Sequence, residues 1–248
     1  MTGSYAIVVP VYRHGREAAR LAARLAEVGL PAYFVDDGNE AETARLLQAL
    51  PGRFPHVRVI RREENGGKGA AVLTGLKAAL ADGHSHALQI DSDGQHNLAD
   101  IPRFLAASRE TPQALISGHP QFDASAPLGR RIGRQITRLC VWLETLSLDI
   151  VDPMCGFRVY PLAPTLQVAD SASSLGRRMD FDVEILVRLH WAGVAIRSLP
   201  TVVIYPEGGV SNFRMLADNG RISWMHTRLI LGMVGRGLTG RLGRTRAA

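Results

Sequence analysis

The sequence predicts a single α/β domain, a mostly parallel sheet flanked by helices. Short β-rich runs alternate with segments of helical periodicity through the first half of the chain. Parallel neighbouring strands need a crossover, and that crossover is usually a helix. Hydrophobic residues make up 46% and charged residues 21% of the 248 residues, a globular composition that excludes a disordered or fibrous chain.

The elements follow in chain order. The predicted strands are Tyr5–Val11, Ala32–Asp36, His56–Ile60, His86–Ile90 and Ala114–Ser117. The segment after the third strand is a predicted helix because its apolar residues recur on one face: Val72, Leu73, Leu76, Ala79 and Leu80. The second half predicts a basic amphipathic segment over Leu128–Leu143, a loop DPMCGFRVYP, a helix near Asp180–Trp191 and a strand pair near Val194–Tyr205.

Polar residues follow the first two strands. In open α/β sheets ligands bind outside the carboxyl ends of the strands, so this edge is where chemistry is expected. Pro10 suits a strand end and Tyr12 then lies at the rim. Asp36 and Asp37 close the second strand. The alternative is turn chemistry, with Asn39 capping the next helix in a capping box, which leaves the two aspartates unexplained.

A glycine-rich turn, Asn65-Gly66-Gly67-Lys68-Gly69, opens the helix after the third strand. Free backbone N–H groups and the positive end of the helix dipole can hold a phosphate there, and Lys68 adds a positive charge. The alternative is a simple turn, since glycine-rich helix entries are common.

The acidic run Gln89-Ile90-Asp91-Ser92-Asp93-Gly94-Gln95-His96 is the strongest local signal. Asp91 and Asp93 point to the same side if strand geometry persists. Two close carboxylates favour a hard divalent cation, Mg²⁺ or Mn²⁺, with Gln95 as a third oxygen ligand. Such a cation stabilises a leaving nucleoside diphosphate. The alternative is a polar loop with an Asx turn.

The order of motifs resembles family-2 glycosyltransferases, and among them the enzymes that load a sugar onto polyprenyl phosphate, the dolichyl-phosphate mannose synthases and glucosyltransferases. The motifs are VPVY, VDDGN, NGGKGAAVLTGLKAAL, QIDSDGQH, DPMCGFRVYP and FDVEILVRLHWAG, and the similarity covers Tyr5 to Asn212. It implies a GT-A-like nucleotide-sugar transferase domain over residues 1–213, followed by a basic amphipathic helix and tail over 214–248.

The resemblance, with the glycine-rich turn for Lys68 and the basic segment for Arg131, implies roles for single residues. Those on the nucleotide-sugar side are Pro10, Tyr12, Asp37, Lys68, Asp91 and Ser92. The metal ligands are Asp91, Asp93 and Gln95. The acceptor side comprises Arg131, Arg158, Glu184 and Ser211. If the acceptor is a hydroxyl, a carboxylate must take its proton, and Asp182 is the first candidate and Asp152 the second. The alternative for Asp182 and Glu184 is that they are acids favoured by a helix N-terminus.

Three departures from the family pattern leave the donor and the acceptor open. Arg13-His14 follow Tyr12 where the family usually has Asn-Glu. Ser117-Gly118-His119 stand in place of Gly-Ser-Arg. The late Gly-x-Ser-Lys motif reads Gly209-Val210-Ser211-Asn212, with an amide for a cation.

The partners expected are a nucleotide diphosphate sugar, a lipid or lipid-linked acceptor and an anionic membrane surface. Arg130, Arg131, Arg134 and Arg138 recur beside Ile132, Ile136, Leu139 and Leu143, and a second stripe holds Ile222, Met225, Leu229 and Met233 with Arg221, Arg228 and Arg236. Basic faces beside apolar ones suit a helix on anionic lipid. The alternative is core-packing helices with solvated arginines.

The remaining features exclude several classes of protein. The arginines lack a nucleic-acid reader motif and interleaved aromatics, so nucleic acid is not an expected partner. Cys140 and Cys155 form no disulfide framework. We expect no signal peptide and no membrane span, and therefore a cytoplasmic protein, peripheral on the cytoplasmic face of the membrane.

The function predicted is an inverting transfer of a hexose, by direct attack on the anomeric carbon. Two alternatives stay open. A sugar-nucleotide pyrophosphorylase shares the layered plan, but its glycine-rich loop with Arg and Lys fits Val-Pro-Val-Tyr-Arg-His-Gly poorly. A nucleotide-sugar-binding scaffold that has lost transfer would bind donor and metal without turnover.

Overall fold

A computed structural model describes residues 3–121, 128–203 and 214–239, with the side chains of residues 128–131 outside the description. Its single sheet has seven strands: β1 (Tyr5–Val11), β2 (Ala32–Asp37), β3 (Val57–Arg62), β4 (His86–Gln89), β5 (Leu115–Gln121), β6 (Arg158–Pro161) and β7 (Ile196–Val202). The strand order is β3-β2-β1-β4-β6-β5-β7. β6 runs antiparallel to both of its neighbours, and the other strand pairs are parallel.

Helices cover both faces of the sheet. Their bounds are α1 (Gly15–Leu25), α2 (Ala41–Gln48), α3 (Leu50–Arg53), α4 (Lys68–Ala81), α5 (Ile101–Glu110), α6 (Leu128–Thr145), α7 (Leu162–Ser171), α8 (Phe181–Trp191) and α9 (Met215–Leu238). None of the helices in the described ranges is long and apolar enough to span a bilayer.

The core lies in two layers because side chains alternate along the strands. Ile7 and Val9 of β1 belong to the layer that α1 and α5 cover. Ala6 and Val8, which point the other way, belong to the layer that α4, α8 and α9 cover. β1 is buried along its whole length, as expected for a strand covered on both faces.

The predicted single α/β domain with a mostly parallel sheet is confirmed, and the five predicted strands are present, β1 with the predicted bounds and the other four with shifted ends. Two predictions in the second half are wrong. Arg158–Pro161, taken as loop, is the strand β6, which is too short to show a periodicity of its own. The predicted strand pair near Val194–Tyr205 is one strand, β7, which pairs with β5; Tyr205 lies outside the described residues.

The apolar residues of the two predicted amphipathic stripes differ in their exposure to solvent. On α6, Ile132, Ile136, Leu139 and Leu143 are each more than half exposed. On α9 the predicted stripe faces inward, since Met225 and Leu229 are fully buried in the second core layer. The expectation that these α9 residues form an interfacial face is therefore wrong, because they pack as core, and other apolar side chains of α9, such as Trp224 and Leu231, are exposed.

Candidate functional site

The carboxyl ends of the strands meet at one edge of the sheet. β6 begins at this edge because it runs antiparallel, and its first residue, Arg158, pairs with Gln89, the last residue of β4. The acidic run 91–96 that leaves β4, the loop that enters β6 and the amino end of α8 therefore converge here. This convergence is the candidate site.

Lys68 links two of the predicted site carboxylates. Its ammonium lies 2.8 Å from Oδ2 of Asp91 and 2.7 Å from Oδ2 of Asp182. A Cβ at position 156 would lie 2.5 Å from Oδ2 of Asp91 and 2.7 Å from Nζ of Lys68. Gly156 thus leaves room for the ion pairs, which join the start of α4, the end of β4 and the start of α8.

Burial and charge oppose each other in this cluster. Burial lowers the pKa of Lys68, but the carboxylates of Asp182 and Asp91 raise that pKa by more, so it lies above its ordinary value. Burial raises the pKa of the Asp91 carboxyl, but Lys68 and His96 lower it well below its usual range. Lys68 is therefore a fixed cation beside a carboxylate that stays ionised.

A buried network of hydrogen bonds holds Asp182 in place. Nε2 of Gln89 lies 3.3 Å from Oδ1 of Asp182, and Oε1 of Gln89 accepts from the Tyr160 hydroxyl at 3.1 Å. Burial raises the pKa of Tyr160 to about 12. Arg158 is fully buried and donates to the backbone carbonyls of Asp182 and Pro153. In this arrangement Arg158, predicted on the acceptor side, fixes the start of α8 against the loop before β6.

Asp93, the second aspartate of the acidic run, makes fewer polar contacts than Asp91 does. Oδ1 of Asp93 accepts from the backbone N–H of Gln95 at 3.1 Å. Burial and the neighbouring charge of Asp91 raise the pKa of the Asp93 carboxyl. Ser92, between them, is buried.

His96 is a site residue that the sequence reasoning missed. Its Nε2 lies 3.5 Å from Oδ2 of Asp91, and its ring lies 5.2 Å from that of Phe157. Within the described residues neither ring nitrogen has a hydrogen-bond partner. The available signal was position: His96 ends the run Gln89–His96 that the sequence singles out, and Gln89 begins it.

The acidic pair, Asp91 and Asp93, fits a divalent cation that binds together with a diphosphate. Among the described residues, no three or more His, Cys, Asp or Glu side chains are grouped to hold a metal ion by themselves. Mg²⁺ is often held by one or two carboxylates together with substrate phosphates. Burial and the neighbouring charge of Asp91 both raise the pKa of the Asp93 carboxyl, and a bound cation would relieve that repulsion between like charges. Asp91 and Asp93 are thus a suitable partial ligand set.

Asp37 organises the glycine-rich turn. Its Oδ1 accepts from Nε of Arg62 at 2.9 Å and from the N–H of Gly66 at 3.0 Å, and its Oδ2 accepts from the N–H of Gly67 at 2.8 Å. Gly67 has φ 95°, a conformation that glycine adopts readily. These two N–H groups are therefore bound to Asp37, and the expectation that they are free for a phosphate is wrong in this conformation.

Asp36 has a structural role that the sequence left unexplained. Its carboxylate accepts from the backbone and side-chain N–H groups of Asn39 and pairs with Arg61 at 2.9 Å. The capping box considered for Asn39 is wrong: α2 has Glu40 at its N-cap, without a side-chain cap. Asn39 instead donates to the carbonyl of Val11, which ties β2 to the end of β1.

An open cleft of about 660 Å³ lies beside the acidic pair, between α1, α2 and the 91–98 segment. Its lining includes the basic residues Arg13 and Arg16 and, from the acidic run, Asp91, Asp93 and His96. Pro10 is buried, and Tyr12 is half-buried at the rim with the Arg13 guanidinium 5.1 Å from its ring centre. The cleft is large enough for part of a nucleotide sugar.

Of four other predicted site residues, two have polar partners of their own and two lie outside the description. Asp152 accepts from the N–H groups of Met154 and Cys155 and pairs with Arg134 at 2.6 Å. Glu184 is fully buried and pairs with Arg188 and Arg228. The side chain of Arg131 lies outside the described residues, as does the whole of Ser211 with its GVSN motif. For these four the acceptor or catalytic roles remain predictions.

Sequence comparison places the chain among sugar transferases. The model described as glycosyl transferase family 2 matches residues 6–163. An undecaprenyl-phosphate mannosyltransferase from Micrococcus luteus is 26% identical over 184 residues, 71% of this chain and 73% of that protein. A polyprenol monophosphomannose synthase from Mycolicibacterium smegmatis is 24% identical over 253 residues, 97% of this chain and 89% of that protein.

Solved structures with the same fold are GT-A glycosyltransferases. Mannosyl-3-phosphoglycerate synthase from Rubrobacter xylanophilus superposes with a TM-score of 0.65 at 15% identity, covering 99% of this chain and 77% of that one. Glucosyl-3-phosphoglycerate synthase from Mycobacterium tuberculosis, in complex with Mn²⁺, UDP-glucose and phosphoglyceric acid, gives 0.62 at 15% identity, with 94% and 80% covered. At this identity the likeness establishes the fold alone.

Proposed function

This chain belongs to glycosyl transferase family 2 and is a glycosyltransferase, and we propose that it moves a hexose from a nucleotide diphosphate sugar to a lipid-linked acceptor with inversion. The observation that carries the proposal is the cluster at the carboxyl edge of the sheet, where Lys68 joins Asp91 to Asp182 and leaves Asp93 free of an ion pair among the described residues. The Lys68 ammonium and the three carboxylates are thus positioned beside an open cleft.

The donor is proposed to lie in the cleft beside the acidic pair, with its base toward Tyr12 and Asp37. When bound, a Mg²⁺ or Mn²⁺ ion held by Asp91, Asp93 and Gln95 would supply Lewis-acid stabilisation of the leaving diphosphate. The chain itself contributes Lys68, whose ammonium offsets negative charge at the same point, and Ser92, which stands between the two aspartates. Because these groups are fixed before the donor arrives, little reorganisation is needed.

The attacking group decides what Asp182 does. A phosphate oxygen is already anionic and needs no general base, and Asp182 then only positions Lys68. A hydroxyl must lose a proton, and Asp182, 2.7 Å from the Lys68 ammonium, is the carboxylate at the cluster suited to accept it. Asp152 is the second candidate because its carboxylate pairs with Arg134 and two backbone N–H groups and has no ion pair with Lys68.

A membrane-borne acceptor is supported by two observations. The names of two relatives, the Micrococcus luteus and Mycolicibacterium smegmatis enzymes, specify undecaprenyl phosphate and polyprenol as the sugar carriers of those proteins. On this chain, α6 presents Ile132, Ile136, Leu139 and Leu143 to solvent beside arginines, a surface suited to anionic lipid. Cys140 and Cys155 are free thiols, which fits a peripheral enzyme on the cytoplasmic face.

The test is a calorimetric titration of UDP-glucose, then GDP-mannose, into the protein with and without Mn²⁺, repeated on Asp93→Asn. We expect one donor to bind in a metal-dependent manner and the variant to bind it at least tenfold more weakly, about 1.4 kcal/mol. Asp170→Asn is the control, because Asp170 is an exposed carboxylate paired with Lys77 on the outer surface. Equal donor binding with and without metal would contradict the proposal that Asp91 and Asp93 are metal ligands.

The same protein then separates the alternatives. Transfer of labelled sugar to polyprenyl phosphate in vesicles would support the proposal. Metal-dependent binding without transfer or hydrolysis would favour the scaffold, and pyrophosphate release from a nucleoside triphosphate would favour the pyrophosphorylase.

A further inference from the structure

A second cleft, of about 400 Å³, lies between the loop before α8, the exposed side of α9 and Gly66 of the glycine-rich turn, and neither Asp91 nor Asp93 lines it. We call it the arginine cleft because Arg177, Arg178, Arg221 and Arg228 line it, together with Trp224. Glycosyl transfer as proposed above uses none of these five side chains. The proposed transfer reaction therefore does not account for these side chains.

The guanidinium groups of the cleft are incompletely neutralised. Arg221 pairs with Asp218 at 2.9 Å and Arg228 with Glu184 at 3.0 Å. Arg178 contacts the amide of Asn65, and Arg177 forms no ion pair within the described residues. Nε of Arg228 is buried and lacks a hydrogen-bond partner there. Guanidinium donors remain for an incoming anion, and their planar fork matches phosphate oxygens.

Trp224 adds an apolar surface at the same place. It is 62% exposed, which is unusual for so large an apolar side chain. Its ring can cover the organic part of a ligand whose charged end contacts the arginines. The cleft therefore offers charge and an aromatic surface together.

We propose that the arginine cleft binds a phosphate group of a ligand, at a site distinct from the acidic pair. Two sources share this chemistry: a soluble phosphate ester and the headgroup of an anionic lipid. The first would make the cleft a soluble-ligand site, and the second would anchor α9 at a membrane surface.

The experiment uses the full chain and two probes. Inorganic pyrophosphate is titrated while tryptophan fluorescence is followed, with Trp224→Phe to identify the signal. Vesicles of phosphatidylcholine, with and without phosphatidic acid, are tested by co-sedimentation. The test variant is Arg177→Gln, whose side chain is exposed, and the control is Arg53→Gln, an exposed arginine on α3 that removes the same charge.

We expect Arg177→Gln to weaken binding of one probe by about tenfold and Arg53→Gln to leave it unchanged. Loss of pyrophosphate binding identifies a soluble ester, and loss of phosphatidic-acid-dependent sedimentation identifies a headgroup. If the two variants behave alike with both probes, the proposal is overturned. The donor titration is repeated on Arg177→Gln: loss of donor binding would place the cleft within the donor site and overturn a separate site, while leaving the transferase proposal intact.

Discussion

At the scale of single residues, Lys68 decides the electrostatics of the site. It lies between Asp91 and Asp182 with only 15% of its side chain exposed, and these partners stand 23 and 114 residues further along the chain. Two carboxylates this close repel each other, and removing the cation between them would leave uncompensated buried charge. The sequence predicted a positive Lys68 beside a phosphate, but it could not show the ion pairs, because they depend on how α4 and α8 meet across the sheet.

Lys68→Met is expected to lower the free energy of unfolding by about 3 kcal/mol, because a buried ion pair loses one partner. Urea unfolding measures this, and Asp182→Asn and the double variant complete a cycle. The double variant should cost less than the sum of the two single variants, since one of the two carboxylates left behind by Lys68→Met is then replaced by a neutral amide.

Lys77→Met is the matched control for this cycle, because its partner Asp170 and Lys77 itself are both more than half exposed, and such pairs contribute at most about 1 kcal/mol. A cost for Lys68→Met no larger than that of Lys77→Met would contradict the argument. The Asp182→Asn variant also tests the proposed base: unchanged turnover with a hydroxyl acceptor would end that assignment.

At the scale of elements, periodicity finds helices and buried strands but does not say which face of a helix is covered. β1 and β2 were predictable because β1 is apolar throughout and β2 opens with four apolar residues before its two aspartates. β6 was not, because four residues show no alternation and its position depends on pairing with β4. α9 carries apolar residues on two faces, and only its packing against α6 and α8 shows that Leu229 points inward and Leu231 outward.

The exposed stripe of α6 leads to a prediction about membranes. Replacing both Ile136 and Leu139 by Ser should weaken binding to anionic vesicles by about tenfold or more, because each side chain contributes apolar area on insertion. The free energy of unfolding should change little, since the two side chains are 59% and 57% exposed. Co-sedimentation and urea unfolding measure the two effects.

Leu80→Ser on α4, where the side chain is 39% exposed, is the control for general loss of surface hydrophobicity. Equal vesicle binding by the α6 variant and the control would rule out the stripe as the membrane face. Vesicle binding that does not weaken as salt is added would rule out an electrostatic contribution from the arginines of α6.

At the scale of the whole molecule, the sheet separates two core layers that depend on distant parts of the chain. The site lies where both layers reach the carboxyl edge, which the order of motifs predicted because strand ends in parallel sheets share an edge. The second layer is completed by α9, whose Met225 and Leu229 are buried beside residues of α6 and α8. His226 also contacts Glu144 of α6 at 2.6 Å, so α9 is bound by polar as well as apolar contacts.

These contacts predict that α9 stabilises the domain, beyond any part it plays at a membrane. Leu229→Ala should cost about 2–5 kcal/mol, because a fully buried leucine leaves a cavity. Leu231→Ala is the matched control two residues away: its side chain is 65% exposed, and its cost should stay within about 0.5 kcal/mol. Urea unfolding followed by far-ultraviolet circular dichroism and by tryptophan fluorescence gives both values. Coincident transitions with a large cost for Leu229→Ala alone mean that α9 unfolds with the sheet, whereas equal small costs would mean that residues 1–213 hold together without it.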